Sequence, residues 1–367
     1  MSRALTVAVV GATGVVGQTM IRVLEERSFP VAELRPVASR AGRMVGWKGR
    51  PIAVGEAVAD AFDGVDVALF SAGADVSRQL APEAVARGAA VIDNSSAWRM
   101  DESVPLVVSQ VNPDDLEAHE GIVANPNCST MQLVPLLMAL RDAVGLRRVI
   151  VDTYQSVSGT GADALAELDA QVRARVAGAE APASVYPHPI AFNVLPEIDA
   201  FLPNGYTKEE WKVVTESRKI LHMPDLAVSC TAVRVPVEYA HSEAVHVETE
   251  RRIPADAARE LFAAVPGVVV RDDPARHEYP LALDAAGRDE IFVGRIRQDV
   301  SLAGDAGLAF WVVSDNVRKG AATNAVELAE LLRDRDWLLS RSRRLASGGR
   351  DTAAPGVAVA AAAMEGA

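Results

Sequence analysis

The segment that most restricts the fold lies near the start of the chain, where the apolar run Leu5-Thr6-Val7-Ala8-Val9-Val10 meets Gly11-Ala12-Thr13-Gly14-Val15-Val16-Gly17. A short uninterrupted apolar run is the pattern of a strand buried on both faces of a parallel sheet. Gln18 to Arg27 follows with apolar residues at helical spacing. Strand, glycine turn and helix in that order form a βα unit. Its glycines let the backbone turn tightly, approach a pyrophosphate and pack helix on strand. The segment could be only a tight turn, but its context favours an anionic nucleotide over the helix N-terminus.

Further strand candidates are Leu34 to Ser39, Val65 to Ser71, Ala89 to Asn94, Val104 to Ser109 and Gly121 to Ala124, with helical patterns such as Gln79 to Arg87 between some of them. This alternation predicts an α/β chain that opens with a Rossmann-type, doubly wound parallel sheet. From Arg148 the strand candidates lengthen: Val149 to Val157, Leu226 to Val235, Glu243 to Glu250, Glu290 to Gln298 and Gly307 to Val313. They read as an α+β domain with a mainly antiparallel sheet. The expected division is 1–128 for the dinucleotide, completed by a C-terminal helix over 321–345, and 129–320 for catalysis and dimerisation. Residues 346–367, rich in alanine, are expected to be a disordered tail.

With 367 residues, 49% of them hydrophobic, and a formal charge of −12, the chain reads as a soluble two-domain protein. It shows no basic cluster interleaved with aromatics, so nucleic acid is not an expected partner. Two cysteines far apart, no leader pattern and no apolar run long enough for a membrane span point to a reducing cytoplasm. No close cluster of metal-ligating side chains stands out, so no metal is expected.

Cys128 lies in Ala124-Asn125-Pro126-Asn127-Cys128-Ser129-Thr130, ahead of the apolar run Met131 to Leu140. An Asn-Pro-Asn turn with Ser and Thr beside it reads as a helix start. Unpaired N–H groups and the positive dipole end there favour a thiolate and can hold an oxyanion. The alternative is a small buried hydrophobe. A cysteine nucleophile needs a base, and His241 and His246 in Ala240-His241-Ser242-Glu243-Ala244-Val245-His246 are the candidates in a rich context. Their odd separation puts them on opposite faces of a strand, and spacing alone does not choose between them.

An acid at the end of the second strand would hold the ribose hydroxyls of NAD, but the chain offers Ala38-Ser39-Arg40-Ala41-Gly42-Arg43, which suits the 2′-phosphate of NADP. Ser71-Ala72-Gly73 and Asn94 stand at carboxyl ends of strands, where ligands bind in such sheets. Arg234, inside an apolar strand, needs an anion: a substrate carboxylate or an internal acid. Glu216 and Lys219 share a helical face, as a surface ion pair or as part of a site with Arg99.

Gly11 to Gly17, Ala124 to Thr130, Tyr154-Gln155-Ser156-Val157-Ser158-Gly159, Glu216 to Lys219, Arg234, Ala240 to Glu243 and Asp315-Asn316-Val317-Arg318-Lys319-Gly320-Ala321 occur in the order found in aspartate-semialdehyde dehydrogenases, which the chain resembles up to about Leu339. The resemblance implies an NADP-dependent phosphorylating aldehyde dehydrogenase of lysine, threonine, methionine and diaminopimelate biosynthesis. It would be a cytoplasmic homodimer that reduces aspartyl phosphate to the semialdehyde. It further implies Cys128 as thioester nucleophile, His241 as acid/base and Gln155 as orienting group. Arg99 and Lys219 would bind phosphate, Glu216 and Arg234 the substrate amine and carboxylate, and Asn127 would stand with them in the substrate and phosphate site. Cofactor contacts would come from Gly11, Thr13, Gly14, Val15, Val16, Gly17, Ser39, Arg40, Ser71, Gly73, Ser158, Gly159 and Asn316. An N-acetylglutamyl-phosphate reductase would share the cysteine and histidine but need no carboxylate for an amine. A nucleotide-sensing protein on the same fold would leave Cys128 unreactive.

Overall fold

The computed structural model describes residues 3–180 and 182–346. Strand β1 (Leu5–Val10) is buried along nearly its whole length, as its apolar run demands, and leads through the glycine turn into α1 (Val15–Glu26). Then come β2 (Val31–Ala38), the β3 (Met44–Trp47) and β4 (Arg50–Ala53) hairpin, β5 (Gly55–Glu56), β6 (Val67–Phe70), α2 (Ala74–Ala86), β7 (Ala90–Asp93) and β8 (Ile122–Ala124). Six strands form a parallel sheet in the order β5-β2-β1-β6-β7-β8. The order reverses beside β1, and ligand crevices in such sheets open at the carboxyl ends of the strands flanking that point. The expected strand Val104 to Ser109 is not a strand: it touches the sheet through one bridge, Leu106 to Ala124. Its backbone is drawn off the ladder by Asn112, which takes the Val108 N–H at 3.0 Å and donates to the Leu106 carbonyl at 2.9 Å.

Beyond α3 (Cys128–Val144) the chain builds the second sheet from β9 (Leu146–Gln155), then α4 (Ala162–Val176) and α5 (Lys208–Ile220), β10 (Ala227–Arg234), β11 (His241–Thr249), α6 (Ala255–Ala263), β12 (Val268–Val270), the short α7 (Ala282–Ala285), β13 (Ile291–Gln298) and β14 (Gly307–Ser314). The strand order is β10-β9-β11-β14-β13-β12, with antiparallel pairs through the centre and parallel pairs at both edges. Helices α3, α5 and α6 bury one face, where Val149, Val151, Val245, Val247 and Phe310 meet Met131, Leu137, Val213 and Phe262. The other face carries Asp152, Tyr154, Ala244, His246 and Trp311, all at least partly exposed. The rings of Tyr154 and Trp311 lie 5.3 Å apart there.

The chain then returns to the first sheet. The helix expected over 321–345 is interrupted: Arg318–Thr323 is π-helical, and α8 begins only at Asn324 and ends at Asp334. Widened turns of this kind free backbone carbonyls for other donors, and the Ala321 carbonyl accepts from Asn125 Nδ2 at 3.2 Å. Ala322, Ala325, Val326, Leu328, Ala329 and Leu332 pack with Val7, Val9, Leu24 and Leu69. Helix α9 (Arg341–Ala346) follows, and the alanine-rich tail beyond it lies outside the described residues. Among the described residues no helix is long and apolar enough to cross a membrane.

His119 joins the returning segment to the sheet: Nδ1 accepts the Gly121 N–H and Nε2 lies 2.7 Å from the Trp337 carbonyl. Burial pushes its pKa down to about 4, opposed by the bond to Trp337 and assisted by Arg344. The unfolded chain therefore takes up this proton first as pH falls. The stabilisation is complete above about 6.5 and is lost toward 4. Urea unfolding at pH 7 and pH 5 should show His119→Gln losing roughly 2 kcal/mol less than wild type over that interval. Equal losses would contradict the assignment.

Candidate active site

The turn before α3 is held by its own side chain. Asn127 Oδ1 accepts the N–H groups of Ser129 at 2.9 Å and Thr130 at 3.3 Å, the helix cap its sequence suggests. Its Nδ2 donates to Glu209 Oε1 at 2.8 Å, and its backbone N–H donates to Glu216 Oε2 at 2.7 Å. Cys128 therefore opens α3 from a fixed turn, half-buried, while Cys230 is buried in the core as a small apolar residue.

A cavity of about 300 Å³ gathers Cys128 with Val16, Ser71, Arg99, Asn127, Gln155, Ser158, Gly159, Arg234 and Asn316, all expected from the sequence. Asn94, Ser96, Glu209, Lys212 and Gly320 line it as well. It lies between the carboxyl ends of the first-sheet strands and the edge of the second sheet. Gly320 backs the nucleophile: a Cβ built on it would lie 3.0 Å from the Cys128 Cβ.

Not every expected residue reaches this cavity. The Lys219 ammonium donates to three backbone carbonyls, of Arg99 at 2.8 Å, Asp101 at 2.7 Å and Val104 at 2.9 Å. Glu216 is 1% exposed and bonded to Arg99 and Asn127, so neither residue of that pair meets a ligand in the cavity. The same spacing recurs two helical turns earlier on α5 as Glu209 and Lys212, and these line the cavity. A spacing that repeats on one helix face cannot tell the two pairs apart. The missing signal was position, since the earlier pair stands near the α5 N-terminus at the cavity mouth.

Burial acts to raise the Glu209 carboxyl, but the Lys212 ammonium, 3.0 Å away, and bonds from Asn127 and Gln155 hold it down to about 2. It is an ionised carboxylate in a closed site. Arg234, 6% exposed, donates Nη1 to the Ser156 carbonyl at 2.8 Å, and its Nε has no partner. Among the described residues no acid pairs with it, so the internal-acid alternative has no candidate.

His241, the first residue of β11, is fully buried, and its ring abuts Gly159: a Cβ there would lie 3.4 Å from His241 Nε2 and 3.3 Å from Arg234 Nη1. Nε2 has no partner. Nδ1 accepts the Ser156 N–H at 3.0 Å, and Ser156 Oγ lies 3.1 Å from it while donating to Asn316 Oδ1. A ring nitrogen that accepts a backbone N–H carries no proton of its own, so the neutral ring holds its proton on Nε2, where it is free to be donated to a ligand. Burial, then the charge of Arg234, brings His241 down to about 3. His246 lies on the opposite face beside Asp299, 3.0 Å away, as the odd spacing implies.

Burial first, and then Glu209, pushes the Cys128 thiol up to about 12 against Arg234, Arg99 and Lys212. The raised thiol pKa runs against the ready thiolate expected from the helix start. The N–H groups expected for an oxyanion are also mostly engaged: those of Asn127, Ser129 and Thr130 have oxygen partners, which leaves that of Cys128.

For the glycine turn the geometry fits a pyrophosphate. A Cβ on Gly11, at φ +81°, would lie 2.5 Å from the Ser71 carbonyl oxygen, and one on Gly17 would lie 2.3 Å from the Gly11 oxygen. Gly14 caps α1 without a side chain and no acid stands in the first turn. Val15 and Val16 open that helix, and Gly73 caps α2 in the same way. Ser39 and Arg40 are exposed after β2. Beside them a second cavity is lined by Thr13, Gln18, Arg22 and Arg43.

Comparison with known proteins agrees with this geometry. Residues 6–119 match the family model for the semialdehyde dehydrogenase NAD binding domain, and residues 137–319 match the semialdehyde dehydrogenase dimerisation domain. An aspartate-semialdehyde dehydrogenase of Aquifex aeolicus is 52% identical over 89% of this chain and 97% of its own length. The crystal structure of aspartate semialdehyde dehydrogenase II from Vibrio cholerae, complexed with ASA, superposes with a TM-score of 0.88 at 45% identity, covering 92% of this chain and 100% of that one. An aspartate semialdehyde dehydrogenase with NADP from Candida albicans superposes with a TM-score of 0.70 at 25% identity, covering 91% of this chain and 100% of that one. The chain belongs to the aspartate-semialdehyde dehydrogenases, oxidoreductases of the aspartate pathway of amino-acid biosynthesis.

Proposed function

We propose that this chain reduces L-4-aspartyl phosphate to L-aspartate 4-semialdehyde through a thioester on Cys128, with NADPH as the hydride donor. The observation that carries the reading is one cavity holding a helix-terminal thiol, two guanidinium groups, an ammonium and an ionised carboxylate. That set matches a substrate with an anion at each end and an amine between them. Arg234, without an internal acid, takes the substrate carboxylate, Glu209 takes the amine, and Arg99 with Lys212 takes the phosphate. Glu209 and Lys212 replace Glu216 and Lys219 in these roles.

The Cys128 sulfur attacks the acyl carbon, the bond to phosphate breaks, and the thiol proton leaves with the departing phosphate. The N–H of Cys128 and the Gln155 amide lie where the carbonyl oxygen gathers charge. Gln155 is held for this by donating to Glu209 at 3.0 Å and accepting from Thr153 at 3.1 Å. NADPH bound at the glycine turn supplies the hydride that reduces the thioester. The Nε2–H of His241 donates to the oxygen as it gains charge. The carbon–sulfur bond breaks as the semialdehyde forms, and the freed sulfur takes a proton from solvent. Ser158, Gly159 and Asn316 close the cavity on the nicotinamide side. Arg40, with Arg22 and Arg43 nearby, supports the choice of the 2′-phosphate form. A homodimer is formed through the half-exposed face of the second sheet, where Tyr154, His246 and Trp311 remain partly exposed.

The direct test is phosphate-dependent NADP reduction with aspartate semialdehyde beside N-acetylglutamate semialdehyde, expected to proceed only with the former. Cys128→Ser should fold and bind NADP yet lose about a thousandfold or more in kcat; substantial residual turnover would remove the thioester. Lys212→Gln should raise the KM for phosphate about tenfold while leaving that for NADP unmoved. Lys219→Met, which strands three carbonyls, should lose about 2–3 kcal/mol of stability with near-normal kinetics. The reverse pattern would return the phosphate role to Lys219.

A further inference from the structure

Glu216 is a buried carboxylate that the mechanism does not use. Its two oxygens serve different donors: Oε1 accepts from Arg99 Nη1 at 2.9 Å, and Oε2 accepts the backbone N–H of Asn127 at 2.7 Å. Arg99 is 8% exposed, lines the cavity, and donates Nη2 to the Asn94 carbonyl at 2.7 Å. Asn127 is the residue before Cys128. A carboxylate that served only to neutralise Arg99 would gain most from two parallel bonds to the guanidinium. Here it gives one oxygen to the guanidinium and the other to the turn of the nucleophile.

We propose that Glu216 is a positioning residue for the phosphate step, fixing the Arg99 guanidinium relative to the Cys128 sulfur by bonding at once to that guanidinium and to the Asn127 N–H. The proposal rests on the reading of Arg99 as a phosphate ligand and Cys128 as the thioester residue. In the oxidative direction a phosphate oxygen bonds to the acyl carbon as the carbon–sulfur bond breaks, and the departing sulfur takes a proton. That displacement needs the anion in contact with the thioester carbon, and misplacement by about 1 Å can cost on the order of a hundredfold. Arginine has a long flexible stem, so its place must be set from outside. Asn94 fixes one amino group to the first sheet, and Glu216 ties the other to α5 and the Cys128 turn.

The experiment is rapid mixing of the full chain with aspartate semialdehyde and NADP, with and without inorganic phosphate. Without phosphate the reaction stops at the thioester, and wild type gives one NADPH per site. In Glu216→Gln the amide can accept from only one of the two donors. Its burst should stay within about twofold of wild type, while the KM for phosphate rises about tenfold and that for NADP does not move. An unshifted phosphate KM overturns the proposal. So does a folded variant in which burst and phosphorolysis fall together, since the carboxylate would then support the turn alone. Should Glu216→Gln fail to fold, Glu216→Asp keeps the charge but shortens the reach, and the same split is expected at about threefold. A wild type with no stoichiometric burst sinks the thioester reading, and this proposal with it. A normal wild-type burst with an unmoved phosphate KM sinks this proposal only.

Discussion

The site depends on the hydrogen bonding of Asn127. One residue caps α3 with its side-chain oxygen, gives its amide to Glu209 and gives its backbone N–H to Glu216. Both carboxylates come from α5, so the helix that begins at Cys128 and the helix that carries Glu209 and Lys212 are joined at a single turn. The turn and α5 therefore depend on each other, because two buried carboxylates without donors would each be costly.

Charge in the cavity is arranged so that opposite needs are met in one small volume. Glu209 must remain ionised to hold an amine, and Lys212 with amide donors keeps it so despite burial. The same carboxylate, together with burial, suppresses ionisation of Cys128. A protonated thiol is a poor nucleophile, and the imidazole near it is held neutral by burial and by the charge of Arg234. The reactivity belongs to the loaded site rather than to the helix end alone.

Much of this was legible in the sequence because it is local. The βα turn announces itself by a buried run and three glycines, and Asn-Pro-Asn ahead of an apolar stretch marks the start of α3. What stayed hidden needs tertiary contacts. Glu209 and Glu216 each begin the same Glu-x-x-Lys spacing on one helix, and only the docking of α5 decides which pair meets the cavity. Val104 to Ser109 has the composition of a strand, yet a side chain at Asn112 takes its backbone partners. Arg234 was a clear anomaly in an apolar strand, and the fold had to show that no acid answers it. The π-helical turn at Arg318–Thr323 has no signature in periodicity, since an extra residue per turn is invisible until Asn125 is found bonding to the Ala321 carbonyl.

The path of the chain sets a schedule for the ribosome. The first sheet is translated before the second, yet one of its covering layers, α8, comes from residues made after both. Until then Val7, Val9 and Leu69 lack part of their cover, while the second sheet, encoded in between, can already close on itself. The half begun first is therefore completed last, and a nascent chain stalled before Asn324 would present an open apolar surface for chaperones to shield.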